Sequence, residues 1–188
     1  MSRWQPGARE RLHAAAVRLF TEHGYEQTTA AGIAAEAGLT ERTFFRYFAD
    51  KREVLFDGSP ALAELIVRGV RDARADLGPL GMAASGVLAA AEFFDDERRA
   101  YSRTRQELID TNPALQERER QKFAELADAI GRELRERGVA DLPARLAAES
   151  AVVVFTTTFR QWISAGEHRT FDAIATEMLA SLKAIVAG

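Results

Sequence analysis

The stretch from Thr28 to Lys51 constrains the fold more than any other part of the sequence, because it has the pattern of two short helices joined by a tight turn. A hydroxyl at Thr28 or Thr29 can cap the first helix, and Gly38 can end it in the left-handed conformation. Thr40 can cap the second helix in the same way. Two helices joined so closely are typical of a helix-turn-helix, in which the second helix enters the major groove of DNA.

The second of these helices has one face for the core and others for a partner. Phe44 and Phe48 lie four residues apart and therefore share the face that packs inward. Lys51 follows in the first turn of the next element, which Asp50 and Glu53 can open as a capping box and where a phosphate can be held. The other side chains of the helix spread over its remaining faces: Arg42, Thr43, Phe45, Arg46 and Tyr47.

Short motifs follow one another between Ala14 and Leu55 in the order LF, GY, TT, IA, AG, TFFRYF and K. With this order and spacing, the segment resembles the N-terminal DNA-binding domain of the TetR (tetracycline-repressor) family of bacterial regulators. The resemblance implies phosphate contacts by Thr28 or Thr29, Thr40, Tyr47 and Lys51. It implies contacts with base edges by Arg42, Thr43, Phe45 and Arg46.

Arg42 is the residue that we expect to recognise a guanine, since a bidentate arginine discriminates between bases by roughly 1 to 3 kcal/mol. The first turn of the preceding helix differs from the family's usual pattern, because Ala30, Ala31 and Gly32 stand where a larger apolar residue and polar residues are usual. Fewer side chains are available there to contact DNA. Recognition is therefore expected to depend on the second helix.

The rest of the chain is predicted to be helical, because its apolar residues recur at spacings of three and four rather than two. Gly-Pro and Asn-Pro pairs and single glycines divide it into segments. About nine helices result, with no sheet. The sequence thus predicts an all-α protein with a three-helix head at residues 1–56 and a helical ligand-binding and dimerisation body at residues 57–188.

The last two helices are expected to form a homodimer, since the segment from Ala151 to Ile163 is apolar on almost every side and needs more cover than one core gives. A small-molecule effector is expected in the body, where ordinary core packing is the alternative role for the aromatic residues. An inward Arg103 would suit an anionic ligand, with a surface salt bridge as its alternative. The candidate effector-binding residues are Phe94, Tyr101, Arg103, Phe123, Phe159 and Trp162.

Composition excludes several other classes of protein. The absence of cysteine excludes disulfides and thiolate chemistry, and the longest apolar run, from Ala151 to Phe159, falls short of a membrane span. With no signal-peptide pattern, a cytoplasmic protein is expected. Glu10 and His13 form the only Glu-x-x-His motif, whereas a helical-bundle metal site needs two. We therefore expect no enzyme activity, no metal and no cofactor.

These patterns together predict a homodimeric, ligand-responsive transcriptional regulator, a repressor that binds a near-palindromic operator and is released by an apolar or amphipathic effector. The formal net charge of −3 leaves one alternative, a helical ligand-binding or scaffold protein without sequence-specific DNA binding. A regulator without an effector is a second alternative. The effector, the operator, the regulated genes and the choice between repressor and activator do not follow from the sequence.

Overall fold

The computed structural model describes the backbone of residues 7–187 and the side chains of residues 7–185. Within these residues the protein is all-α, with nine α-helices, two short 3₁₀ turns and no strand. The first six residues of the predicted head lie outside the described part. The helices are α1 Ala8–His23, α2 Ala30–Glu36, α3 Glu41–Tyr47, α4 Ser59–Arg71, α5 Pro79–Ala89, α6 Asp96–Asp110, α7 Pro113–Glu136, α8 Asp141–Trp162 and α9 Phe171–Ala187; the 3₁₀ turns are Glu53–Phe56 and Ala90–Glu92.

The helices form two compact units, which are not divided as the linear pattern predicts. The first unit comprises the described residues up to Gly58 together with Arg105–Glu119, and the second comprises Ser59–Thr104 and the residues from Arg120 onwards. The predicted division at residue 56 is two residues from the observed boundary. It also misses the segment around the α6–α7 turn, which belongs to the first unit.

The core of the first unit fixes α3 against α1 and α2. Leu12, Ile33 and Phe44 have no exposed surface, and they pack in the same cluster as Ile109 and Leu115 from the ends of α6 and α7. The turn between α2 and α3 depends on Gly38, whose φ of 66° is one that residues with a Cβ rarely adopt. The backbone amide of Leu39 then donates to the carbonyl oxygen of Ala34, and this bond closes the turn. 

The second unit is built around α8, whose apolar residues are buried by α5 and α9. Helices α4 and α5 cross at two glycines, Gly69 and Gly86. A Cβ added to Gly86 would lie 2.6 Å from the carbonyl oxygen of Ile66 and 2.7 Å from Cγ2 of Val70. Glycine is required there because the two backbones approach more closely than any side chain permits.

Candidate nucleic-acid interface

Two adjacent threonines position the start of α2, and each has a different task. The hydroxyl of Thr29 accepts a hydrogen bond from the backbone amide of Gly32 at 3.0 Å, so Thr29 is the N-cap. Thr28 is buried, and its hydroxyl donates to the carbonyl oxygens of Gly24 at 2.9 Å and Leu19 at 3.3 Å. Of the two threonines, Thr29 therefore has the more accessible hydroxyl beside the N-terminus of α2.

Helix α3 begins at a capped and rigid turn. The hydroxyl of Thr40 accepts from the backbone amide of Thr43 at 3.2 Å, and the two hydroxyls lie 3.0 Å apart. Phe44 and Phe48 are both buried, with ring centroids 5.5 Å apart. These rings fix the rotation of α3 about its axis and so decide which side chains reach the solvent.

The solvent-facing side of α3 carries three of the four side chains that are predicted to contact the edges of DNA bases. Arg42, Phe45 and Arg46 are exposed, and Phe45 has 52% of its surface accessible. The Arg46 guanidinium lies 5.0 Å above the Tyr47 ring and donates to the Tyr47 hydroxyl at 3.3 Å. Within the described residues, Arg42 has no ion pair. The arrangement offers two cations and one apolar ring to a partner surface.

Lys51 has a structural task that its sequence position did not reveal. Its ammonium group donates to the carbonyl oxygens of Tyr25 at 2.8 Å, Thr28 at 2.9 Å and Glu26 at 3.4 Å, and it lies 4.2 Å from the centroid of the Tyr25 ring. These contacts join the segment that follows α3 to the loop between α1 and α2. Because an ammonium has three donors, a phosphate would have to share or replace one of these bonds.

Burial of Tyr25, together with the negative charge of Asp50, raises the pKa of Tyr25 to about 12. The phenol is therefore neutral at physiological pH. Asp50 itself accepts from the backbone amides of Arg52 at 2.8 Å and Glu53 at 3.3 Å, which caps the first 3₁₀ turn. The expected capping box is only half formed, because the Glu53 side chain is bound elsewhere.

The tip of the α6–α7 hairpin supplies residues to the first unit, although the sequence pattern predicts them in the body. Arg118 binds the Glu53 carboxylate with two nitrogens, at 2.5 and 3.1 Å. Arg105 donates to the carbonyl oxygen of Leu55 at 2.7 Å, and its guanidinium lies 4.9 Å from the centroid of the Phe56 ring. Both arginines therefore hold the 3₁₀ turn that follows α3.

Most of the predicted effector residues lie in one aromatic cluster in the second unit. The Phe94 ring centroid lies 4.7 Å from that of Phe171, 5.3 Å from that of Trp162 and 5.4 Å from that of Phe159. Phe123 joins this cluster through Phe155, at 6.2 Å. Tyr101 is half-buried on α6. The hydroxyl of Thr158 and the indole nitrogen of Trp162 are buried in the second unit and find no hydrogen-bond partner within the described residues.

Arg103 faces backbone carbonyls rather than a carboxylate. It donates to the carbonyl oxygens of Ile163 at 2.8 Å and Ser164 at 3.3 Å, where α8 ends and its last carbonyls lack helical partners. Arg99, one turn earlier on α6, donates to the carbonyl oxygen of Trp162 at 2.7 Å. An anionic ligand at Arg103 would have to displace these bonds, so that role stays a prediction.

Within the part of the chain that the structure describes, no group of histidine and carboxylate side chains is arranged to hold a metal ion. No helix of that part has both the length and the apolar character needed to cross a membrane.

Both the N-terminal and the C-terminal part of the chain match known protein families. Residues 12–57 match the family described as bacterial regulatory proteins, tetR family. Residues 77–187, more than half of the chain, match the family described as the MftR C-terminal domain. The first match covers α2, α3 and the first 3₁₀ turn, and the second match begins just before α5.

Individual relatives agree with these families. The chain is 34% identical over 102 residues to the proposed mycofactocin biosynthesis transcriptional regulator MftR of Mycobacterium tuberculosis. The aligned region spans 54% of this chain and 50% of the relative. It is 38% identical over 82 residues to the HTH-type transcriptional regulator TcmR of Streptomyces glaucescens, spanning 44% of this chain and 36% of the relative. The matched region therefore spans half or less of these curated relatives.

A solved structure extends the similarity to almost the whole fold. The TetR-family repressor FadR of Thermus thermophilus, in complex with lauroyl-CoA, is 27% identical. The match covers 93% of each chain, with a TM-score of 0.52.

Proposed function

Because the chain belongs to the TetR family of bacterial regulatory proteins, we propose that it regulates transcription by binding operator DNA. The observation that carries this proposal is the solvent face of α3, where Arg42, Phe45 and Arg46 are exposed while the opposite face of the helix is held by buried aromatic rings. We propose a regulatory rather than a catalytic role, carried out in the cytoplasm.

The proposed contacts divide into two kinds. Arg42 is proposed to read a guanine, together with Thr43, Phe45 and Arg46, and an apolar ring such as that of Phe45 can contact a thymine methyl. Phosphate contacts fix the register of the head on the duplex and carry no sequence information directly. The proposed phosphate contacts are Thr28 or Thr29, Thr40, Tyr47 and Lys51.

A second copy of the chain is proposed to cover the outer side of α8 and α9. Leu142, Leu146 and Val153 occur at spacings of four and seven on α8, and each is more than half exposed. Ile185 on α9 is more exposed still. Large apolar side chains repeated along one helix face are typical of an interface, and a two-fold axis would bury both copies of the face. The two heads of such a dimer must reach major grooves roughly 34 to 36 Å apart, so the operator is expected to be a near-palindrome.

The body is proposed to bind a small apolar or amphipathic effector that favours a dimer unable to bind the operator. A ligand shifts the equilibrium only through its preference for one state. The lauroyl-CoA complex of the Thermus FadR shows an amphipathic ligand on a similar fold. The aromatic cluster that includes Phe94, Phe159 and Trp162, with Phe123 at its edge, is one candidate site; Tyr101 and Arg103 complete the set.

Fluorescence anisotropy with the duplex upstream of the protein's own gene, beside a random duplex, tests the DNA-binding role at about 0.15 M salt, where nonspecific binding is weak. We expect selective binding to the first duplex and a loss of selectivity in Arg42→Ala. Arg74→Ala is the matched control, because Arg74 is exposed in the second unit and pairs with Asp76.

Equal, weak binding to both duplexes is the contrary result. If a selection from total genomic DNA then also enriches no sequence, the proposed function is rejected in favour of a helical ligand-binding protein.

A further inference from the structure

A groove of about 360 Å³ lies on the second unit, between α5 with its preceding loop and α9. Its walls are largely apolar and include Leu77, Ala84 and Leu88 on one side and Leu179 and Ala180 on the other. The groove is open to solvent along one side, so an occupant would keep part of its surface in water. None of its lining residues belongs to the aromatic cluster described above.

The groove exists because small side chains face each other across it. Gly81 and Ala84 on α5 and Ala180 on α9 are too small to fill the space between the two helices. Leu88 is left 37% exposed at its edge. Apolar surface open to water in this way is favourably covered by an apolar molecule. A slot lined by such small side chains suits one unbranched hydrocarbon chain.

One cation sets the polarity of the site. Lys183 is the single charged residue in its lining, and within the described side chains it has no ion pair. The two lining hydroxyls are occupied: Ser85 donates to the carbonyl oxygen of Gly81 at 3.1 Å, and Thr176 donates to that of Asp172 at 2.8 Å. The ammonium of Lys183 is therefore the group available to a polar end of an occupant.

We propose that this groove binds an amphipathic anion, with its hydrocarbon chain along α5 and α9 and its carboxylate against Lys183. Complementary charge at the end of an apolar slot orients such a molecule, while the slot supplies the apolar contact. The inference names an effector class for the regulator and rests on the proposed function only for the release of DNA. Binding itself does not depend on DNA.

The groove and the proposed dimer face lie on different sides of α9. Thr176 and Lys183 are seven residues apart and share one face, as helical periodicity requires. Ile185 follows Lys183 by two residues, which places it about 200° around the helix axis. A ligand in the groove and a second copy on the outer side of α8 and α9 can therefore be bound together.

Occupancy of the groove acts on α4 as well as α5. The glycine crossing brings Cα of Gly86 to within 2.9 Å of where a Cβ of Gly69 would lie, so α4 and α5 are packed in direct backbone contact. A ligand in the groove would contact α5 directly, and α4 begins three residues after the end of the head's 3₁₀ turn. Any state of the body that binds the anion better is selected by it.

Isothermal titration calorimetry with decanoate and with decyltrimethylammonium, which has the same chain and the opposite charge, tests the site on the full-length protein. We expect decanoate to bind and the cation to bind at least tenfold more weakly. Lys183→Gln should weaken decanoate binding by about fivefold, as for an exposed ion pair, and Lys183→Arg should retain it. Lys122→Gln, on α7 and outside the groove, is the matched control and should bind as the wild type does.

Ala180→Leu fills the slot from its exposed rim and should abolish decanoate binding while leaving the helical circular dichroism unchanged. Decanoate binding by Ala180→Leu at wild-type affinity would place the ligand elsewhere, and equal affinity for the two charges would remove Lys183 from the site. No heat of binding to the wild type also overturns the proposal. Anisotropy with operator DNA separates the two claims: decanoate binding without any DNA binding rejects the regulator and keeps the groove.

Discussion

The close crossing of α4 and α5 predicts that adding a single Cβ atom at Gly86 destabilises the protein. Replacing Gly86 by alanine places a Cβ 2.6 Å from the carbonyl oxygen of Ile66 and 2.7 Å from Cγ2 of Val70. The first of these atoms belongs to backbone and cannot rotate away. The helices must therefore separate, and the packing of α5 against its neighbours is lost in part.

The expected cost is the difference between two opposing terms. Overpacking costs about 1 to 3 kcal/mol, and two close contacts place this site at the upper end. Alanine gains about 1 kcal/mol over glycine in a helix. The net destabilisation is therefore about 2 kcal/mol, or about 4 to 8 °C in the midpoint of thermal unfolding for a chain of this length.

Gly131→Ala on α7 is the matched control, because the same substitution there meets no close atom. Its Cβ would lie 3.5 Å from the Arg135 side chain and 3.8 Å from Cβ of Ala148, which are ordinary contacts. The helix-propensity term alone remains, so we expect this variant to be more stable by up to about 1 kcal/mol. Circular dichroism melts at one fixed protein concentration measure both variants. A rise in the midpoint for Gly86→Ala would refute the close crossing.

Three further predictions concern the first unit. Lys51→Gln should lower the unfolding midpoint by removing the bonds to the α1–α2 loop, and in anisotropy titrations it should weaken binding to every duplex, with a salt slope flatter by about one if Lys51 also contacts a phosphate. Arg118→Gln should destabilise the protein by about 2 kcal/mol in urea titrations, because it leaves the half-buried Glu53 carboxylate without its bidentate partner, and an unchanged urea midpoint would contradict this. Burial lowers the pKa of His13 below 6.5, an effect that the positive charge of Arg105 reinforces and the negative charge of Asp57 opposes. The unfolded chain therefore binds the proton more tightly than the folded protein does, and the free energy of unfolding falls as the pH drops below about 6.5. His13→Gln should lose less stability than the wild type between pH 7 and pH 5.

Local sequence signals predicted the local parts of the structure. Thr29 and Thr40 cap α2 and α3, and Phe44 and Phe48 share a buried face, because caps and helical periodicity depend on neighbours within four residues. The presence of an all-α head and body was predicted on the same basis. Gly38 has the positive φ that its place in the turn requires.

Contacts between distant parts of the chain were not predictable from the same signals. Arg105 and Arg118 bind Leu55 and Glu53 across 50 and 65 residues of sequence, and no periodic pattern records such pairs. The place of Lys51 after α3 predicts a phosphate contact, whereas its three carbonyl partners belong to a loop more than twenty residues earlier. A basic side chain near a helix start suits either partner, and sequence position alone does not distinguish them.

The exposed apolar side chains lie on three surfaces, and the arrangement of each surface suits a different binding partner. Phe45 is a single exposed ring with Arg42 and Arg46 on the same helix. Such a surface suits DNA, which offers negative phosphates to the arginines and thymine methyl groups to the ring. Leu142, Leu146 and Val153 repeat along one helix, which fits an equally repetitive surface, a second copy of α8. The groove pairs small residues on two helices with one lysine, which fits a thin molecule with one negative end. Single exposed apolar residues are common on any protein, so it is their neighbours, and not their exposure, that assign each surface to DNA, to a partner chain or to a ligand.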